Sequence, residues 1–299
     1  MHWIVLSLLS AIFLGLYDIA KKSAVRENAV APVLFFNVLT AAVIWLPLVV
    51  WSYTAPDGFP NSALKVSVLS PSEHLLLLAK AALVGMSWIF ALFALKHLPM
   101  SIAAPIRASS PLWTILIAVT LMNERPSATQ WTGMAIILGS FWAFSFAGRR
   151  EGIQFHRNRW VAGMVLATLL GSLSALYDKY LLQRTALTPA SVQAWFSIDL
   201  VLVMLPLYLH WRKHLSAGQP FQWRWSIPLI AILLLTADFL YFTAIRQPDA
   251  MISLISPLRR TSVIIAFIAG IRLYGEQNWK LKSACLAVLL IGVWVVSRA

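Results

Sequence analysis

Charge is scarce in this sequence. Asp, Glu, Lys and Arg together supply 12% of its 299 residues, about half the share of an ordinary soluble domain. Hydrophobic residues supply 60%, and the mean hydropathy is +0.75. That balance excludes a pair of soluble domains, which the length alone would allow. Acidic residues are scarcer still, 11 against 24 basic, for a formal net charge of +13. In a soluble protein such an excess would suggest nucleic acid. Here the basic residues cluster in short connections between apolar runs, where they act as topology determinants. No nucleic acid is expected as a partner. Cysteine occurs once, as Cys285, so an internal disulfide is excluded. His2, His74, His97, His156, His210 and His214 all fall at helix ends or in loops, and neither HExxH nor GxSxG occurs. An intramembrane enzyme therefore has no sequence support, and neither a cofactor nor a metal is expected. Period-two alternation in runs of about ten is also lacking, which argues against a transmembrane barrel.

What is present is a series of apolar runs of about 20 residues, each long enough to span a hydrocarbon core of about 30 Å as helix. In lipid every backbone polar group must be satisfied within the protein, so the runs predict an all-α membrane protein. Ten transmembrane helices are predicted, over 3–22, 31–53, 74–95, 100–122, 128–147, 160–182, 190–211, 226–246, 250–273 and 280–297. The first run lacks a basic start and is read as an uncleaved helix, although Ala29-Val30-Ala31 resembles a small-residue cleavage site. Most connections are short, so neighbouring helices run antiparallel. Only 54–73 and 212–225 form loops of any size.

The chain also repeats itself. LYD at 16–18 returns at 176–178, WLPLVVW at 45–51 as MLPLYLHW at 204–211, and PIRASS at 105–110 as PLRRTS at 257–262. LMNE at 121–124 returns as LYGE at 273–276, and GSFW at 139–142 more loosely as GVW at 292–294. The order is the same in both halves. The sequence thus predicts a five-helix repeat over 1–147, a basic linker over 148–159, and a second repeat over 160–299. Because five is odd, the second copy enters the membrane upside down. Two inverted five-helix repeats with a site at their interface are the plan of many secondary transporters. A membrane scaffold without transport activity would leave the same trace.

Several charges lie inside apolar runs: Lys80, Arg107, Arg259 and Arg260, with Asp199 and Asp238 near helix middles and Asp18 and Asp178 about a turn from helix ends. An unpaired charge at the bilayer centre costs at least about 2.5–3.5 kcal/mol, so these groups should face the bundle interior with partners. Counting crossings puts Asp18 at the depth of Arg107 and Asp178 at the depth of Arg259. Two pseudo-symmetric Asp–Arg pairs are expected, as helix latches or as gates. Symmetry breaks where Arg260 replaces Ala108, Asp238 replaces Trp88 and Asp199 replaces Thr40. Asp199 and Asp238 are candidates for exchanging protons as coupling ions, or else simply neutralise Lys80, Arg259 or Arg260. Tyr17, Trp88, Tyr177 and Tyr241 are candidates to line a cavity. Pro105, Pro111 and Pro257 interrupt helices four and nine beside the small residues Ala104, Ala108, Ser109 and Ser110. Glu124 and Glu276 are expected at the water boundary.

The run HLPMSIAAPIRASSPLWTILIAVTLMNERPSATQWTGMAIILGSFWAFS, residues 97–146, resembles the EamA-like module of the drug/metabolite transporter superfamily. The copy at 248–297 departs from it at Arg260 and at Val263, which replaces the second proline. The resemblance implies two inverted repeats around a cavity lined largely by helices one, three, four, six, eight and nine. It also implies transport of small metabolites, often as export, and a place in the inner cell membrane. It further implies that both termini are cytoplasmic. The charge count implies the opposite: fourteen basic residues follow odd-numbered helices, against six after even-numbered ones or at the C-terminus. The expected function is a secondary transporter of a small anionic or zwitterionic metabolite, since arginine suits carboxylate and phosphate. A flippase for a lipid-linked phosphate and an exporter of cationic drugs are the alternatives in the same fold. The lipid bilayer is the surrounding partner, and a monomer and a homodimer are equally compatible with the plan.

Overall fold

The computed structural model describes residues 2–97, 106–107, 109–146, 158–218, 220–262, 264–265 and 279–298. These residues are helical almost throughout. The helices are α1 (His2–Val25), α2 (Val30–Thr54), α3 (Pro71–His97), α4 (Ser110–Leu121), α5 (Ala128–Phe146), α6 (Arg159–Arg184), α7 (Pro189–His214), α8 (Ser226–Ile245), α9 (Ile252–Arg259) and α10 (Trp279–Ser297). A 3-10 turn, Arg260–Ser262, follows α9 directly. Six of these helices, α1, α2, α3, α6, α7 and α8, contain windows long and apolar enough to cross a membrane, and Ser110–Leu121 and Ala287–Val296 are shorter apolar helices. Residues 100–105 and 266–273 of predicted helices four and nine, with Ala104, Pro105, Ala108, Val263, Glu276 and most of the 148–159 linker, lie outside the described residues.

Large apolar side chains such as Val5, Ile12, Val43, Leu46, Leu116, Leu202 and Ile232 are exposed on the outside of the bundle. In water such a surface would be a liability; against lipid tails it costs nothing. Two helix starts are capped locally. Asn158 accepts from the Trp160 N–H ahead of α6, and Thr188 accepts from the Ser191 N–H ahead of α7. Pro47 and Pro206 sit inside α2 and α7, at matching places of the repeated LPL stretch, where neighbouring helices tolerate the lost hydrogen bond.

Helices far apart in sequence pack together: α1 with α8, α3 with α6 and α7, α2 with α7 and α8, α4 with α9, and α5 with α10. The α1–α8 pair is antiparallel. Trp3 Nε1 donates to Asp249 Oδ2 at 3.1 Å at one end, and Arg224 Nη1 donates to the Ser23 and Arg26 carbonyls at 2.8 and 2.7 Å at the other. The first end is here termed the amino-terminal face and the second the opposite face. Where α5 meets α10, glycines set the spacing. A Cβ on Gly133 would lie 2.5 Å from Val296 Cγ2 and 2.9 Å from the Val296 backbone nitrogen. Gly133→Leu is therefore expected to force the pair apart, at a cost of about 1–3 kcal/mol or more. A melting curve in detergent checks this, and an unchanged midpoint would show that the crossing is slack.

Candidate functional site

A cavity of about 300 Å³ opens between α1, α3, α4, α6, α8 and α9, within the range of small-molecule sites. Ten of the candidate residues line it: Tyr17, Asp18, Lys80, Trp88, Arg107, Asp178, Asp238, Tyr241, Arg259 and Arg260. Tyr177 and Asp199 do not. Tyr177 turns aside, its hydroxyl donating to the Leu76 carbonyl at 3.2 Å and its ring stacking on Tyr180. Asp199 lies on α7, where its Oδ2 is buried without a partner.

The deep end of the cavity holds two ion pairs. Lys80 on α3 pairs with Asp178 on α6, and its ammonium also sits 4.4 Å from the Phe196 ring centre and 5.1 Å from that of Phe242. Arg259 on α9 pairs with Asp238 on α8. The Arg259 Nε donates to Ser10 Oγ at 3.1 Å, and its guanidinium lies 4.1 Å over the Tyr241 ring. These replace the expected pairs. Asp178 is held by Lys80 instead of Arg259, and among the described residues no ion pair joins Asp18 to Arg107. The expected pairs were matched by depth alone, and direction around each helix decides the partner. On α6, Asp178 faces α3, whereas Arg259 faces α8.

The two proline-x-arginine elements share a local build. Ser109 Oγ donates to the Ile106 carbonyl at 2.6 Å, and at the matching place Thr261 Oγ donates to the Leu258 carbonyl at 2.7 Å. Each hydroxyl satisfies a carbonyl where the helix is interrupted beside its arginine. In the second copy α9 ends at Arg259 and tightens into the 3-10 turn at Arg260, so both guanidiniums sit near the negative end of a helix dipole. The surroundings of the two copies differ. Where Asp238 holds Arg259, the matching position on α3 is Trp88, and among the described residues Arg107 forms no ion pair with a carboxylate. Where Lys80 holds Asp178, the matching position on α8 is Ile230, which packs in one cluster with Tyr17, and among the described residues Asp18 forms no ion pair. Arg260, within electrostatic reach of Arg107, Arg259 and Asp18, also forms no ion pair among the described residues. Lys21, unforeseen as a lining residue, stands with its ammonium 5.4 Å over the Tyr17 ring. Among the described residues, the cavity's charges outside an ion pair are thus Lys21, Arg107 and Arg260 against the acid Asp18.

Residues 1–146 match the EamA-like transporter family. The chain carries an EamA-like transporter module. Members of this family are transporters rather than enzymes, and with its long apolar helices the protein is a multi-pass membrane protein whose first half is similar to transporters of the drug/metabolite kind. A solved protein crystal structure is similar over 99% of this chain and 98% of its own, with a TM-score of 0.73 and 15% identity. That likeness concerns the fold alone. No curated protein matches the sequence.

Within the EamA-like module, Glu124 is not at the water boundary. It is 5% exposed and accepts from the Ile252 N–H at 2.7 Å, the Ser253 N–H at 3.0 Å and the Ser253 hydroxyl, while Lys179 donates to it at 2.5 Å. It therefore caps α9 from outside that helix, filling the role a local N-cap side chain would fill. Gln183 closes the same region, its Nε2 donating to the Ile245, Gln247 and Ala250 carbonyls at 2.6, 3.1 and 3.2 Å. The sequence signals available were the repeated glutamate in LMNE and LYGE, and a lysine directly after the second LYD. Ser10, the hydroxyl partner of Arg259, carried no signal at all.

Proposed function

We propose that the protein is a secondary transporter moving a small anionic or zwitterionic metabolite by alternating access, in the export direction that the family resemblance implies. Its ten helices cross the membrane as two inverted repeats, 1–147 and 160–299, joined by the 148–159 linker. The packing supports this reading. Exchanging the two halves turns α1–α8 into α6–α3 and maps α2–α7, α4–α9 and α5–α10 onto themselves, a pattern consistent with a two-fold relation between the halves. The substrate class rests on one observation: among the described residues, Arg107 and Arg260 line the cavity without an ion pair to a carboxylate. Guanidiniums of that kind bind carboxylate or phosphate by paired, charge-assisted hydrogen bonds. Paired charges at the deep end, with the Glu124 network beyond them, describe a conformation sealed toward the amino-terminal face.

The test is ligand-induced stabilisation of the purified protein across carboxylates, phosphates, amino acids and organic cations, since a ligand that binds only the folded state raises the melting point with occupancy. An anion or amino acid is expected to give the largest shift. Arg107→Ala or Arg260→Ala should weaken its binding about tenfold to a hundredfold, the value of a charged hydrogen bond of roughly 1.5–3 kcal/mol. Stabilisation by organic cations alone would discard the anionic reading.

A further inference from the structure

A second, smaller cavity of about 20 Å³ lies between α2, α7 and α8, beside the main one. It has room for one species the size of a water molecule. Two side chains in its wall carry buried acceptor oxygens with no partner among the described residues, Asn37 Oδ1 and Gln193 Oε1. Asn37 is 3% exposed and Gln193 1%. The orientation of the Gln193 amide is fixed by its surroundings. Its Nε2 donates to the Leu235 carbonyl at 2.6 Å, which leaves Oε1 as the free atom. Ser197 spends its proton on the Gln193 carbonyl at 2.7 Å, so only the lone pairs of its hydroxyl remain. Asp238 completes the wall, with Oδ1 held by Arg259.

An acceptor buried without a donor bears its full desolvation penalty, so helices that gather several such oxygens need something to neutralise them. A water offers two protons to these four groups. A cation meets all of them together. The donors are hard oxygens, as alkali and alkaline-earth ions prefer. A single carboxylate, already shared with an arginine, is too little charge for a calcium-type site, which recruits several.

We propose that this cavity is a monovalent cation site, taking sodium through Asn37 Oδ1, Gln193 Oε1, Ser197 Oγ and the second oxygen of Asp238. Asp238 lines both cavities and holds Arg259. A cation bound there competes with Arg259 for the carboxylate and, on the transport reading above, frees the guanidinium for substrate.

The experiment uses the full-length protein in detergent with no transport substrate, so it succeeds or fails independently of that reading. Melting is followed as sodium chloride replaces choline chloride at constant ionic strength, alongside retention of radioactive sodium. A saturable rise in melting point and one retained ion per chain are expected. Asn37→Leu and Gln193→Leu should lose both signals. Each removes an unpartnered oxygen, so each should still melt cooperatively in choline. Equal melting of the parent in the two salts, with no sodium retained, would overturn the proposal and leave a bridging water in the cavity.

Discussion

Lys80→Met is expected to destabilise the protein by roughly 3–5 kcal/mol, the usual cost of breaking a buried ion pair from one side. The reason lies in what stays behind. Lys80 is 2% exposed and Asp178 is almost as deeply buried, so removing the ammonium strands a carboxylate between α3, α6 and the rings of Phe196 and Phe242. Asp178→Asn should cost about as much for the converse reason. The double replacement Lys80→Met with Asp178→Asn removes both charges and should recover most of the loss, because a buried pair is itself barely favourable against apolar packing. The coupling energy of that cycle, read from unfolding in detergent, measures the pair directly. If the double variant were as unstable as the sum of the singles, the two residues would be acting separately and the pairing would be wrong. Asp18→Asn is the internal control. Asp18 is the residue that matches Asp178 in the repeated LYD stretch, it forms no ion pair among the described residues, and its replacement should change stability little.

That contrast also shows what a linear sequence can carry. Helix positions were legible because hydropathy is a local property, and the expectation of a duplication rests on LYD, proline-x-arginine and the terminal glutamate recurring in order. Together they put ten of the candidate residues on one cavity. Partners were less legible. Lys80 and Asp178 are 98 residues apart, and which of two aspartates at comparable depth meets a given cation depends on rotation about the helix axis. Hydropathy says little about that rotation in helices apolar on every side. Asp199 and Tyr177 were lost for the same cause: each has suitable chemistry at a plausible depth on a face turned away from the cavity. Glu124 was misjudged because a carboxylate after an apolar run reads as the end of the bilayer. Its real surroundings, the start of α9 and the α6 lysine, come from the other half of the chain.

Glu124 should therefore be among the least replaceable residues in the protein. Glu124→Gln is expected to cost roughly 3–5 kcal/mol, since it leaves the Lys179 ammonium without its counter-charge and exposes the first N–H groups of α9 to an amide that satisfies fewer of them. The effect should reach further than stability. Glu124 joins the α4–α5 connection to α6 and to the start of α9, the helix that ends in Arg259 and Arg260. On the transport reading this clasp seals the amino-terminal face, and its release is a step in exposing the arginines to that side. Ala250, 3% exposed and directly ahead of α9, reports on the seal. With Cys285 replaced by serine, a cysteine at position 250 should resist maleimide in the parent and react after Glu124→Gln. A cysteine at Ile227, buried at the opposite face, should stay unreactive in both. A general loosening of the bundle would expose both positions, and a clasp that holds nothing shut would expose neither; only reaction at 250 alone follows from a carboxylate that binds the broken helix of one repeat to the other.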